Sequence, residues 1–265
     1  MDSLIFVALL GAVIGLVLAF TGAGGGILSV PVLVFGLHLT VQQAAPVGML
    51  AVFAAAGLGA FLAWREAMVR YRAAALMGGV GMAMAPVGVF LAQYIPNRPL
   101  IVVFSGVLLY SAWRSLAAPT TTQAQAPCVV NPVDQRLVWT RPCAQMLAST
   151  GLLSGLLSGL LGVGGGFVIV PALSRYTNLA IRSVHATSLA VMALVSLSGV
   201  LSATAHGTMS WRIALPFAAG AILALLVARR LANKVHPKRL HQAFAWFCVL
   251  VSMLMLGRAA GLLMA

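Results

Sequence analysis

Acidic residues are almost missing from this 265-residue chain: Asp2, Glu66 and Asp134 are the only three. Charged residues of either sign make up 7% of it, against roughly a quarter of a soluble globular domain. The hydrophobic class reaches 62%, and water cannot solvate the surface such a chain would present. A bilayer can, because a helix satisfies its own backbone groups and needs only about 20 apolar residues to cross. Cysteine is scarce too. Cys128, Cys143 and Cys248 have no CxxC spacing. Cys128 and Cys143 could pair if their segment faced an oxidising compartment, but the charge pattern below puts it in the cytoplasm, so all three read as free thiols. HExxH, GxSxG, paired carboxylates and Cys/His clusters are all wanting, which excludes the common hydrolytic and metal chemistries. The expectation is a non-enzyme with no cofactor and no metal site. Met253 and Met255 are too close in sequence to share a helix face as metal ligands.

The net charge of +13 does not indicate nucleic acid. A nucleic-acid surface gathers its basic residues on a soluble face with aromatics between them, whereas these lie in short gaps between long apolar runs. Residues 4–20 have no basic leader and no clear cleavage site, and read as a first membrane segment, not a signal peptide.

The chain is one unit written twice. GAGGGILSVP at 22–31 returns as GVGGGFVIVP at 162–171, an offset of 140 that persists without a gap. Gly11, Gly15 and Leu16 fall on Gly151, Gly155 and Leu156; Tyr71-Arg72 falls on Trp211-Arg212; Leu100 and Phe104 fall on Leu240 and Phe244. Apolar runs cover 4–20, 27–37, 44–64, 73–94 and 99–116, then 144–161, 167–177, 184–205, 213–232 and 240–262. Eleven helical residues rise only about 16 Å against a hydrocarbon core of about 30 Å, so the runs at 27–37 and 167–177 cannot cross. The expected architecture is an all-α polytopic membrane protein of two inverted-topology repeats, each a broken or re-entrant hairpin followed by three transmembrane helices. The first repeat spans 1–116 and the second 144–265. A Pro-, Thr- and Gln-rich cytoplasmic linker, 117–143, joins them.

Inversion follows from charge, since cytoplasmic loops collect Lys and Arg. The first copy has Arg65, Arg70 and Arg72 in one gap and only Arg98 in the next. The second copy has Arg212 alone in the corresponding gap, then Arg229, Arg230, Lys234, Lys238 and Arg239. The bias has moved by one loop. Adding Arg114, Arg136, Arg141, Arg175 and Arg182 places thirteen of sixteen basic residues inside, leaving Arg98, Arg212 and Arg258 outside with both termini. Inverted repeats recur in secondary transporters, whose sites form near the midplane at broken helices.

Each glycine cluster precedes a short apolar segment. A helix beginning at Ile27 or Phe167 aims its first N–H groups back at the glycine turn, and such an end attracts anions. Gly24, Gly25, Gly26, Gly164, Gly165 and Gly166 are therefore candidate substrate-binding positions. Pro31 and Pro171 are expected near the first helical turn. Gly11, Gly15, Gly151, Gly155 and Gly159 read instead as close-packing positions between helices. No Lys-Ser/Thr follows either cluster, so a nucleotide P-loop is not supported. No acid lies in a membrane run, where a sodium or proton carrier ordinarily keeps one; an anion suits better. Ser-Val-His-Ala-Thr-Ser at 183–188 adds Thr187 and Ser188 as hydroxyl donors and His185 as a proton carrier, with Ser183 as a helix cap. His206 and His241 read as loop residues. The first copy has Ala45, Val47 and Gly48 at the places of His185, Thr187 and Ser188, so the polar chemistry is one-sided.

With GxGGGxxxVP at 22–31 and 162–171, Ala186-Thr187-Ser188-Leu189 and Trp211, nearly the whole chain resembles the TauE/SafE family of sulfite and organosulfonate exporters, also grouped as the toluene-sulfonate uptake permease family. The resemblance implies a bacterial inner-membrane permease for sulfite, sulfonates or related carboxylates, its site lined by Gly24–Gly26, Gly164–Gly166, Thr187 and Ser188. Pro46-Val47-Gly48 departs from the pattern in the first copy. Alternating access with a small anionic substrate, a lipid bilayer around it and a proton as candidate coupling ion is the expected mode. An anion-selective channel is the rival, a membrane scaffold or assembly protein a more distant one. Oligomeric state does not follow from the sequence.

Overall fold

The computed structural model describes residues 2–116, 128, 139–231 and 237–261. The described residues are almost entirely helical: α1 (Asp2–Thr21), a 3₁₀ segment (Gly22–Leu28), α2 (Ser29–Gly36), α3 (Val41–Arg65), α4 (Tyr71–Tyr94), α5 (Asn97–Leu116), α6 (Arg141–Leu161), α7 (Gly166–Tyr176), α8 (Ile181–Ala205), α9 (Trp211–Leu231) and α10 (Pro237–Ala259). Five of these, α3, α4, α6, α8 and most of α9, are long and apolar enough to cross a membrane. The chain is a polytopic α-helical membrane protein. Both copies carry the expected short second helix, 8 residues in α2 and 11 in α7.

Helices α3 and α6 begin at a side-chain cap. Thr40 caps α3 in a capping box, its hydroxyl accepting the Gln43 N–H while the Gln43 side chain accepts the Thr40 N–H. Thr140 caps α6 by accepting the Cys143 N–H. Ser183 caps nothing, contrary to expectation: α8 starts earlier, after Ala180, and has no side-chain cap. Pro171 is the sixth residue of α7, inside the helix and not in its first turn. His241 belongs to α10, whereas His206 closes α8. Most of the expected linker lies outside the described residues, and its last three positions already belong to α6.

The packing pairs one copy against the other. A side chain at Gly11 or Gly15 of α1 would run into the backbone of Phe217 or Ala221 in α9. At Gly151 or Gly155 of α6 it would meet Met77 or Gly81 in α4. These are the same contacts with the copies exchanged, since 217 and 221 are the places of 77 and 81 shifted by 140. In hydrocarbon, where apolar side chains gain little by leaving lipid, such backbone proximity supplies the dispersion contact that holds helices together. The central pair is α3 against α8. Gly59 faces Leu189 and Gly199 faces Met49, so the two run antiparallel and again swap roles under the offset. Ser198 Oγ ties α8 to α4 by donating to Met82 O at 2.7 Å. Gln42 ties α3 to the end of α4 by donating to Ala92 O and Ile95 O at 3.0 and 2.8 Å.

The structure corrects the reading of two cysteines. Cys128 and Cys143 form a disulfide, with Cα atoms 5.1 Å apart. Cys128 is brought there by an isolated parallel bridge with Thr177, in which its N–H donates to Tyr176 O at 3.1 Å. That pins position 128 to the end of α7, beside the first turn of α6. The expectation of free thiols rests on the charge pattern, which assigns this segment to the cytoplasm; the bridge to Thr177, 49 residues away, brings Cys128 within reach of Cys143.

Packing of this kind makes a contrast between glycines measurable. Gly155→Leu is expected to destabilise the purified protein by at least about 3 kcal/mol, because backbone, which cannot yield, blocks the side chain. Gly79→Ala, with nothing within 4 Å of the added carbon, is expected to be neutral or to stabilise by up to about 1 kcal/mol. Denaturation midpoints in detergent distinguish the two.

Candidate functional site

The two glycine turns meet at the centre of the molecule. Gly25 and Gly26 are buried, and a side chain at Gly26 would sit 2.9 Å from Val163 O, 3.1 Å from Val52 and 3.2 Å from Met192. Gly164 faces the same Val52 and Met192, with Ser196 Oγ 3.2 Å from where its Cβ would be. Val52 and Met192 hold the same place in α3 and α8, so equivalent helices seal both turns. Gly24 lies in the 3₁₀ segment, and Gly166 opens α7. The second turn is the more sharply bent: Gly162, Gly164 and Gly165 all have positive φ, from 69° to 74°, a conformation that residues with a Cβ adopt at a cost.

Hydroxyls brace the carbonyls of both turns. Ser29 Oγ donates to Gly26 O at 2.7 Å and Ser154 Oγ to Gly165 O at 3.2 Å. Val168 and Ile169 also donate to Gly165 O, at 3.0 and 3.3 Å, so of the first N–H groups of α7 those of Gly166 and Phe167 are the ones an anion can use.

Thr187, Ser188 and His185 lie elsewhere along α8. His185 is seven residues from Met192, about 10 Å of helix rise. Thr187 is fully buried, and its hydroxyl accepts the Arg70 N–H at 3.1 Å, joining the start of α8 to the start of α4. Ser188 donates to His185 O at 2.9 Å, within its own helix. His185 lines a cavity of about 220 Å³ together with Leu18, Gly59, Ala63, Arg182 and Leu189. Arg182 is exposed at this end of α8, so a fixed positive charge stands at the cavity. Leu18 connects cavity and turn, because Gly25 packs directly on its backbone.

Two hydroxyls not singled out in the sequence prove to be unusual. Ser158 and Ser196 are fully buried, and neither hydroxyl has a hydrogen-bond partner. The signal that could have found them is a mismatch between the copies: Ser154, Ser158 and Ser196 stand where the first copy has Ile14, Leu18 and Ala56.

The sequence profile of the sulfite exporter TauE/SafE family matches residues 7–255. The chain belongs to that family. It is 29% identical over 262 residues to a "probable membrane transporter protein" of Xylella fastidiosa, covering 96% of this chain and 95% of the relative. It is 24% identical over 220 residues to the "probable membrane transporter protein YdhB" of Bacillus subtilis, covering 83% and 86%. A similarly named protein of Methanocaldococcus jannaschii is 24% identical over 246 residues, covering 88% and 87%. No solved structure matches. The TauE/SafE chain is thus a membrane transporter.

The contact between Thr187 and Arg70 is testable apart from transport. Thr187→Val would leave a partly buried N–H without its acceptor and is expected to cost about 1–3 kcal/mol. Thr187→Ser restores the acceptor and most of the stability, which denaturation in detergent would register. By contrast, Gly25→Leu and Gly165→Leu cannot serve as fold-neutral probes of the turns. A side chain at Gly25 meets the Leu18 backbone, and one at Gly165 meets Ser154 in a left-handed conformation.

Proposed function

We propose that this transporter carries a small sulfur oxyanion, sulfite first, by alternating access between inverted halves, and that it exports its substrate. One observation carries the mechanism. Gly59, Ala63 and Leu189 border the 220 Å³ cavity, while their counterparts in the other copy, Gly199, Ala203 and Met49, are closed together. Met49 packs on Gly199, and Met49, Val89, Val200 and Ala203 form a buried cluster of their own. Equivalent positions are thus open at one end and sealed at the other. An exchange of conformation between the copies would open the sealed end and close the cavity, which is how inverted repeats produce alternating access. The antiparallel run of α3 and α8 supports the inversion.

Charge supports both substrate and direction. The cavity lies at the end of α8 that holds Arg182, on the side of Arg70 and Arg72, where Lys and Arg accumulate and where the positive-inside rule places the cytoplasm. A cytoplasmic anion would meet these charges first. The disulfide at the end of α7 favours an oxidising compartment and argues the other way; we give weight to the thirteen charges, because short basic loops set topology during insertion. Sulfite and export rest on the family's description, and the neutral donors of the second turn suit an oxyanion.

Reconstituted into liposomes, the protein is expected to show saturable uptake of labelled sulfite that accelerates with unlabelled sulfite inside. A flux that neither saturates nor shows counterflow would replace the carrier with the rival anion channel. In a chain without native cysteines, Leu189→Cys is expected to react rapidly with a membrane-impermeant thiol reagent applied from the basic side. Met49→Cys should be protected from either side until substrate is added; equal reactivity of the two would remove the sealed gate.

A further inference from the structure

The geometry points to an anion seat that lies off the pseudo-symmetry axis, on the second copy alone, where Ser196 Oγ and the first N–H groups of α7 hold one substrate oxyanion. Three observations carry it. The hydroxyl of Ser196 is fully buried and unpartnered, and leaving a hydroxyl so placed costs free energy unless something satisfies it. It stands 3.2 Å from the Cβ position of Gly164, within the turn that opens α7, so it is aimed at an N-terminus already suited to negative charge. That helix is 11 residues long, enough to carry a useful dipole. Gly164 and Gly166 are buried, with Val52 and Met192 packed over the turn, so the seat is occluded in this conformation.

The first copy cannot repeat the arrangement. Position 56 is alanine, and its short helix begins only after a 3₁₀ segment, whose tighter backbone points its free N–H groups differently. The chemistry that fits is a compact oxyanion with an oxygen accepting from both an O–H and an N–H. This deepens the transport reading and rests on it. Thr187 and Ser188 do not line the cavity, and their hydroxyls are engaged in contacts within the protein.

The test measures binding and stability separately on the full chain in detergent. Equilibrium binding of ³⁵S-labelled sulfite, displaceable by unlabelled sulfite, is compared with the thermal midpoint without ligand for the parent, Ser196→Ala and Ser198→Ala. Ser198 is the control, because it shares α8 but its hydroxyl already donates to Met82 O. Ser196→Ala is expected to weaken sulfite by at least about tenfold, the size of one hydrogen bond to a charged group, with a midpoint equal to the parent's or higher. Ser198→Ala is expected to lower the midpoint and keep parental affinity. Unchanged affinity in Ser196→Ala overturns the seat while the transport reading survives. A lowered midpoint in Ser196→Ala also overturns it, since the hydroxyl would then have a structural partner. Equal loss of binding in both variants would make the effect one of α8 as a whole. Absence of displaceable sulfite binding in the parent overturns the sulfite reading itself.

Discussion

A hydrocarbon layer offers a polypeptide no water, so every interruption of a helix within it must be shielded by protein. Among the described residues two glycine turns, at Gly22–Leu28 and before Gly166, interrupt helices that would otherwise continue, and the described helices are arranged around covering those breaks. The breaks cover each other, with Gly26 beside Val163 O. Val52 of α3 and Met192 of α8 close over both. Ser29 and Ser154 donate to carbonyls of the two turns, that of Gly165 also accepting from Val168 and Ile169. Bringing so much backbone together demands helices that approach closely, and the glycine seams of α1 with α9 and α4 with α6 provide that approach.

On the proposed alternating-access reading, duplication gives this shielding a second arrangement. Contacts that recur with the copies exchanged would give two arrangements of similar energy, differing in which end of the α3–α8 pair is packed. Gly59 and Leu189 border the cavity, while Met49 packs more tightly on Gly199. Methionine is well suited to a seal that must form and release, because its unbranched side chain fills irregular gaps in several rotamers. The polar groups do not follow the duplication. Serines at 154, 158 and 196 replace apolar residues of the first copy, so the packing is nearly symmetric while the hydrogen-bonding capacity is not. In the proposed mechanism, a two-fold scaffold with a one-sided polar lining would present the same anion seat to either end in turn.

The membrane class, the doubled unit, the short second helix of each copy and the packing role of Gly11, Gly15, Gly151 and Gly155 were all legible in the sequence. Composition, run length and the spacing of small residues are local properties, and in a bilayer they admit few outcomes because backbone satisfaction leaves only the helix. The boundaries of α8 were not legible: its start at Ile181 follows from the preceding turn, and no side chain marks it. The tertiary structure alone decided which hydroxyls are engaged. Thr187 meets Arg70 from 117 residues away, Cys128 reaches Thr177 across most of the linker and two helices, and Ser196 is left without a partner beside Gly164. Each of these depends on which helices pass one another in space. Sequence spacing constrains a residue's place on its own helix, but only the packing of the whole bundle determines what that residue faces.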